Sequence, residues 1–244
     1  MKFFDKLRNN AIIKASFIVT VITLLTKVIG YAEKVTVAYF WGTSYEADIY
    51  NAVFSIVISI MIFFREFLEP GMMNTLIKNR NTNNDDRRVY SSTFVFITVI
   101  GLIFCLCFLI FPEIITKLLL PGFTVEKNLL GIQFFRIASL AVLFSIITTA
   151  TNTYLLSYKY FKLLSISEFI FKASILLCCL ALYKVAGIYS LIWGLVFGAF
   201  MKLGIQLLKI RSFSKIPVER PNTDYIKAIL IISWPLLIGN VFPN

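Results

Sequence analysis

Histidine is absent from all 244 residues, and charge is scarce: only 15% of positions are Asp, Glu, Lys or Arg. The first absence removes the commonest general base and metal ligand. The second removes the charged shell that a soluble domain of this length needs. Cysteine is sparse too. Cys105, Cys107, Cys178 and Cys179 all lie inside apolar runs, and with no histidine to complete a site they read as small apolar residues, not as metal ligands or a disulfide. A membrane-bound transferase would want a histidine, an acidic metal-binding pair or a large loop for a soluble substrate, so no enzyme, metal or cofactor is expected. Acid is scarcest: 13 carboxylates face 24 cations, a formal net charge of +11. That surplus does not imply nucleic acid, because no soluble segment interleaves basic and aromatic residues.

What the chain has in abundance is apolar sequence. It is 58% hydrophobic with a mean hydropathy of +0.81, and the apolar residues fall in runs of about 20, the length a helix needs to cross roughly 30 Å of hydrocarbon. The class is all-α: a polytopic membrane helical bundle. The first run is too long and too poor in small-residue cleavage sites for a removed signal peptide. Seven spans are expected, at 15–41, 47–69, 90–111, 130–156, 163–183, 187–209 and 224–244. Turn signals separate them at Gly42-Thr43-Ser44, "NRNTNNDDRR" (79–88), "LPGF" (120–123), "SYKYFK" (157–162), Gly187 and "KIPVERPNTD" (215–224). The 79–88 loop suggests no chemistry. Six helices over 1–222 make one lobe, and 223–244 begins a seventh that stops within its apolar run.

Loop cations are uneven. Lys2, Lys6, Arg8 and Lys14 precede the first span; Lys78, Arg80, Arg87 and Arg88, then Lys159 and Lys162, then Lys209, Arg211, Lys215 and Arg220 occupy every second loop. The alternate loops hold only Lys117, Lys127 and Lys184. This pattern places the N-terminus in the cytoplasm.

Charges inside the spans point toward function, because a charge at the bilayer centre costs about 2.5–3.5 kcal/mol on insertion scales. In the first span Lys27 and Lys34 are seven apart and share a helical face, with Tyr31 between them and Glu33 to one side. Glu33 and Lys34 can instead snorkel at the outer interface. In the second span Asp48, Asn51, Ser55, Ser59, Glu66 and Glu69 form a polar stripe interrupted only by Ile62, with Arg65 at its border. Such a stripe suits a cavity wall. The fourth span carries Arg136, Ser145, Thr148, Thr149, Thr151, Asn152 and Thr153, whose hydroxyls can bond their own backbone or glue helices. In the fifth, Glu168 and Lys172 form an i, i+4 pair able to neutralise itself. The first two helices are thus expected to line a cationic intramembrane cavity, which fits a phosphate or pyrophosphate headgroup.

Several segments then match a known pattern. "TKVIGYAEKVTVAYFWGTSYEADIYNAVF" resembles the first-helix motif of the MurJ/MviN lipid II flippase family, within the MATE-like multidrug/oligosaccharidyl-lipid/polysaccharide exporter superfamily. "REFLEPGMMNTLI" is similar to that family's Glu-Gly-Ala segment, "FPEIITKLLLPGF" to its outer loop, "TNTYLLSYKYF" to the segment closing its fourth helix, and "WPLLIGNVF" to the start of its seventh. The resemblance implies two six-helix lobes around a central cavity, of which this chain supplies the N-terminal one. It also implies alternating access and a polyprenyl-pyrophosphate-linked saccharide as substrate. By the same resemblance Lys27 takes the place of the first family arginine, Arg65 and Glu69 match the family's Arg and Glu, and Asp48 matches the Asp after Phe-Gly. The family's second Arg-Asp pair reads Glu33-Lys34 here, and the second span is about one turn longer between Asp48 and Glu69.

The expected substrate-binding residues are therefore Lys27, Lys34, Arg65, Asp48 and Glu69, with Tyr31, Glu33, Asn51, Ser55, Ser59 and Glu66 lining the cavity. The leading function is flipping of a lipid-linked saccharide from the inner to the outer leaflet of a bacterial inner membrane, with a C-terminal lobe as partner. The alternatives are a capsule- or O-antigen-type exporter, a drug/ion antiporter, which would want a cavity of carboxylates and aromatics, and a non-transporting half.

Overall fold

The computed structural model describes residues 11–82, 86–119, 125–213 and 222–241. Readings that fall on Lys2, Lys6, Arg8, 120–123, Lys215, Arg220 and the last three residues lie outside the described residues. Among those described, eight helices follow one another: α1 (Ala11–Trp41), α2 (Tyr45–Thr82), α3 (Asp86–Ile110), α4 (Pro112–Leu119), α5 (Val125–Ser157), α6 (Phe161–Ala186), α7 (Tyr189–Phe213) and α8 (Thr223–Val241). Six are long and apolar enough to cross a membrane, namely α1, α2, α3, α5, α6 and α7. They correspond to the first six expected spans.

The α1–α2 joint shows how local sequence sets the hairpin. Gly42 ends α1 with φ +56°, a conformation that favours glycine. Its N–H donates to Ala38 O at 2.9 Å. Ser44 then caps α2, its Oγ accepting from the Ala47 N–H at 3.3 Å. Glu46 and Asp48 in the first turn complement the helix dipole.

Two expectations are corrected. The second span does not end at 69: α2 continues through Pro70 to Thr82, 38 residues in all, roughly 57 Å at 1.5 Å per residue. Proline is tolerated inside a membrane helix where neighbours re-satisfy the freed backbone, and α8 packs against α2 at this point. A Cβ on Gly71 would lie 2.4 Å from both Ile229 O and Ser233 Oγ, so only glycine permits the crossing. The segment after the third span is not all loop either. Pro112 opens the short helix α4 in a position proline favours, Glu113 and Lys117 match its dipole, and Thr116 donates to Pro112 O at 2.7 Å.

Helix α5 is the centre of the bundle, in contact with α2, α3 and α7. Its Phe134, Phe135, Ala138, Val142, Ile146, Ala150 and Tyr154 are fully buried. Helices α6 and α7 share the most extensive contact. Gly194 and Gly198, a small-xxx-small pair on α7, let the backbones approach: a Cβ on Gly198 would lie 2.7 Å from Phe171 O, and one on Gly194 2.9 Å from Ile175 Cα. Helix α1 rests mainly on α6 and leaves Leu24, Val28, Tyr31 and Tyr39 exposed, an apolar face suited to lipid or to another helical body.

Candidate substrate-binding site

Glu33 and Lys34 are neighbours on α1, so their side chains diverge by about 100°. Glu33 turns into the seam with α2 and α6 and is 1% exposed. Lys34 faces α2. Tyr50 Oη donates to Glu33 Oε1 at 2.8 Å, and the Lys34 ammonium donates to Asn51 Oδ1 at 2.7 Å, each partner 17 residues on across the hairpin. From α6, the Lys172 ammonium stands 3.8 Å from Glu33 Oε2, which accepts no hydrogen bond. Both ammoniums lie against one ring: Lys34 Nζ is 5.0 Å and Lys172 Nζ 4.5 Å from the centre of Phe54. Aromatic faces attract cations by their quadrupole. This cluster holds two cations and one carboxylate.

A second polar region lies further along α2. Arg65, Glu66, Glu69, Pro70, Met73 and Asn152 line a cleft of about 580 Å³. A recess of about 110 Å³ shares Arg65 and Asn152 with it and adds Met61, Ser145, Thr148, Thr149, Glu168 and Lys202. Lys202 on α7 is buried and donates to Glu168 Oε2 on α6. Below it, buried Gln206 ties three helices together. Its Oε1 accepts from Thr151 Oγ1 at 2.5 Å, and its Nε2 donates to Ser167 Oγ at 3.1 Å. Thr148 and Thr153 bond their own backbone, donating to Phe144 O at 2.7 Å and Thr149 O at 2.9 Å, as the sequence suggested.

The expected residues thus divide. Glu33, Lys34 and Asn51 come together at one end of the stripe, and Arg65, Glu66 and Glu69 at the other, 14 residues on, or roughly 21 Å along the helix axis. Lys27 and Tyr31 are exposed on α1, and Asp48, Ser55 and Ser59 on α2. The cleft at Arg65 is walled by α2 and α5. Glu33 does not snorkel but is buried. Glu168 and Lys172 do not pair with each other as the i, i+4 spacing suggested. Such a pair contributes only about 0.2–0.5 kcal/mol on a helix surface, and each residue finds a partner on another helix instead. Sequence reasoning missed Lys202 and Gln206 altogether. Their signal was present: a lysine and a glutamine one turn apart within an apolar run, "GAFMKLGIQ".

The polar stretch assigned no chemistry closes one end of the bundle. Arg80 bonds Asp86 Oδ2 at 2.9 Å and Ser157 O at 3.0 Å, and its guanidinium stacks 3.8 Å from the centre of the Tyr158 ring. Tyr158 Oη donates to Asp86 Oδ2 at 2.7 Å. Burial, then this hydrogen bond, pushes the Tyr158 phenol above its ordinary pKa.

Charged side chains are thus held in seams between spanning helices, beside an open polar cleft, and ionisable groups placed so within membrane spans mark a candidate functional site. Solved structures share the fold. A lipid II flippase MurJ in an inward-closed conformation superposes with a TM-score of 0.75 at 21% identity, over 92% of this chain and 48% of that one. A MOP superfamily transporter from Pyrococcus furiosus gives 0.73 at 12% identity, over 93% and 52%. The family model described as lipid II flippase MurJ matches residues 37–240, and the chain belongs to that family. Curated relatives include the probable lipid II flippases MurJ of Borreliella burgdorferi, 26% identical over 79% of this chain and 38% of that protein, and of Aquifex aeolicus, 25% identical over 90% and 45%. The chain spans less than half the length of these relatives.

Proposed function

We propose that this chain is the N-terminal lobe of a flippase that carries a polyprenyl-pyrophosphate-linked saccharide, lipid II or a related precursor, from the inner to the outer leaflet of a bacterial inner membrane. The observation that carries the reading is Lys34. It is a cation within a spanning helix whose hydrogen-bond partner, Asn51, is neutral, so its charge remains available to an anionic headgroup. Lys27, Arg65, Asp48 and Glu69 are proposed to contact the substrate at other stages of its passage, with Tyr31, Glu33, Asn51, Ser55, Ser59 and Glu66 shaping the path. The transported tail stays in lipid, and a second lobe forms the opposite wall, one rocking against the other. The work is translocation, not catalysis.

The cation pattern of the loops favours a cytoplasmic N-terminus. The test of function is complementation. In cells depleted of their own lipid II flippase, the full-length transporter carrying this chain should restore growth. Lys34→Gln, and Lys27→Gln with Arg65→Gln, should not, at equal membrane levels. Rescue by both variants would sink the reading.

A further inference from the structure

We infer that α4 is a membrane-interface anchor: the apolar edge made by Ile114 and Leu118 lies in the acyl boundary of the leaflet opposite the Arg80–Asp86 cluster, with lipid as its partner. The bundle fixes the rotation of α4. Pro112 and Thr116 face inward and are buried, and a Cβ on Gly131 of α5 would stand 3.1 Å from Thr116 Cγ2 and 3.9 Å from Ile49 Cγ2 on α2. Measured round the helix from Pro112, Glu113 and Lys117 fall at about 100–140°, and Ile114 and Leu118 at about 200–240°. The charged edge therefore lines the groove with α5, beside Asn128, Leu129 and Ile132. The apolar edge points away from the bundle, with Ile114 62% and Leu118 75% exposed.

The neighbours fix its depth. The apolar run of α3 ends at Phe111, after 18 residues without a charge from Phe94, about 27 Å against roughly 30 Å of hydrocarbon. Phe108 meets Phe135 with ring centres 5.6 Å apart. Eight residues later Thr116 meets Gly131, only four residues back along α5. Eight helical residues span about 12 Å and four about 6 Å, so α4 leans over and does not run on outward. Thr116 stays level with Ile49, one turn inside the start of α2.

These observations select lipid as the occupant. The edge continues the exposed four-residue steps of Leu102, Leu106 and Ile110 on the spanning helix α3. It is two side chains long and bordered by a carboxylate and an ammonium, whereas a stable protein interface buries more than about 1,000 Å² around a core poor in charge. An amphipathic helix at the headgroup boundary sinks its apolar face about 5–10 Å. Glu113 and Lys117 cancel in charge, so burial of apolar surface holds α4, and attraction to anionic lipid does not.

The experiment places a nitroxide at positions 113, 114, 117 and 118 in turn, on the full-length transporter with its native cysteines replaced by alanine, in phosphatidylcholine vesicles. Collisions with oxygen, which concentrates in hydrocarbon, are compared with collisions with a water-soluble nickel chelate. The oxygen-to-nickel ratio at 114 and 118 should exceed that at 113 and 117 several-fold, and adding anionic lipid should leave it unchanged. Leu118→Trp in the otherwise native protein keeps a large apolar side chain and gives a second measure should the labels disturb the fold. Its added fluorescence over that of Trp41, Trp193 and Trp234 should be quenched by lipid brominated near the headgroup. Equal ratios at all four positions, or labels at 114 and 118 shielded by protein from both reagents, would overturn the assignment. So would insertion that deepens with anionic lipid, or a Trp at 118 that the brominated lipid leaves unquenched.

Discussion

Replacing Gly198 with alanine puts a methyl group where α6 already is. The new Cβ would stand 2.7 Å from Phe171 O, 3.1 Å from Phe171 Cδ2 and 3.4 Å from Ser174 Cβ. The nearest atom is backbone and cannot rotate away, so α6 and α7 must part by about 0.7 Å to regain ordinary contact in a close-packed seam. Overpacking of this kind costs about 1–3 kcal/mol. Alanine returns about 0.8–1 kcal/mol of helix propensity over glycine, so the net loss is about 0–2 kcal/mol. Gly204, on the same helix, has nothing within 4 Å of its added Cβ and should simply gain the propensity. The difference between Gly198→Ala and Gly204→Ala cancels that shared term and isolates the crowding, about 1–3 kcal/mol. Reversible unfolding in detergent micelles measures it. Equal stability of the two variants would refute the close approach of α6 and α7.

Lys202→Met should leave Glu168 without its partner and destabilise by up to about 3 kcal/mol, the low end for a broken buried pair because the Glu168 side chain is 40% exposed; the double variant with Glu168→Leu should recover most of the loss in the same unfolding assay. Tyr158→Phe should cost about 1 kcal/mol. Because the folded state holds the Tyr158 proton more tightly than the unfolded chain does, that contribution stays constant below the ordinary tyrosine pKa of about 10 and fades as pH rises through the raised value. Unfolding measured from about pH 6 to 9 should show a fixed gap between variant and wild type, narrowing only in stronger alkali. A cysteine at Glu113 should react with an impermeant thiol reagent in intact cells and one at Arg87 should not; the reverse would overturn the topology.

The bundle was legible because bilayer thickness forces apolar runs of about 20 residues, and α1, α3, α5, α6 and α7 overlap their expected spans closely. Helix α2 was misjudged at its far end because Pro70 breaks isolated helices but is accommodated where α8 packs beside it. The polar stripe on α2 was visible, but which helix faces each part of it was not. Asn51 meets α1, while Arg65 meets the α5 face that carries Asn152. Periodicity gives the face of one helix and is silent on its neighbour. The same limit hid the partners of Glu168 and Lys172, since local spacing offers one pairing and helix packing makes two others. Lys202 and Gln206 needed only the rule that a charge deep in a span has a partner.

The most direct test of the central claim is leaflet transfer. The full-length transporter carrying this chain is placed in proteoliposomes with a fluorescently labelled polyprenyl-pyrophosphate-linked saccharide on one side, and the label reaching the other leaflet is followed by a membrane-impermeant quencher. Wild type and Gly204→Ala should transfer the lipid at similar rates, and Lys34→Gln should slow transfer at least tenfold while the protein remains folded. Transfer by Lys34→Gln at the wild-type rate, or no transfer by wild type, would contradict the account.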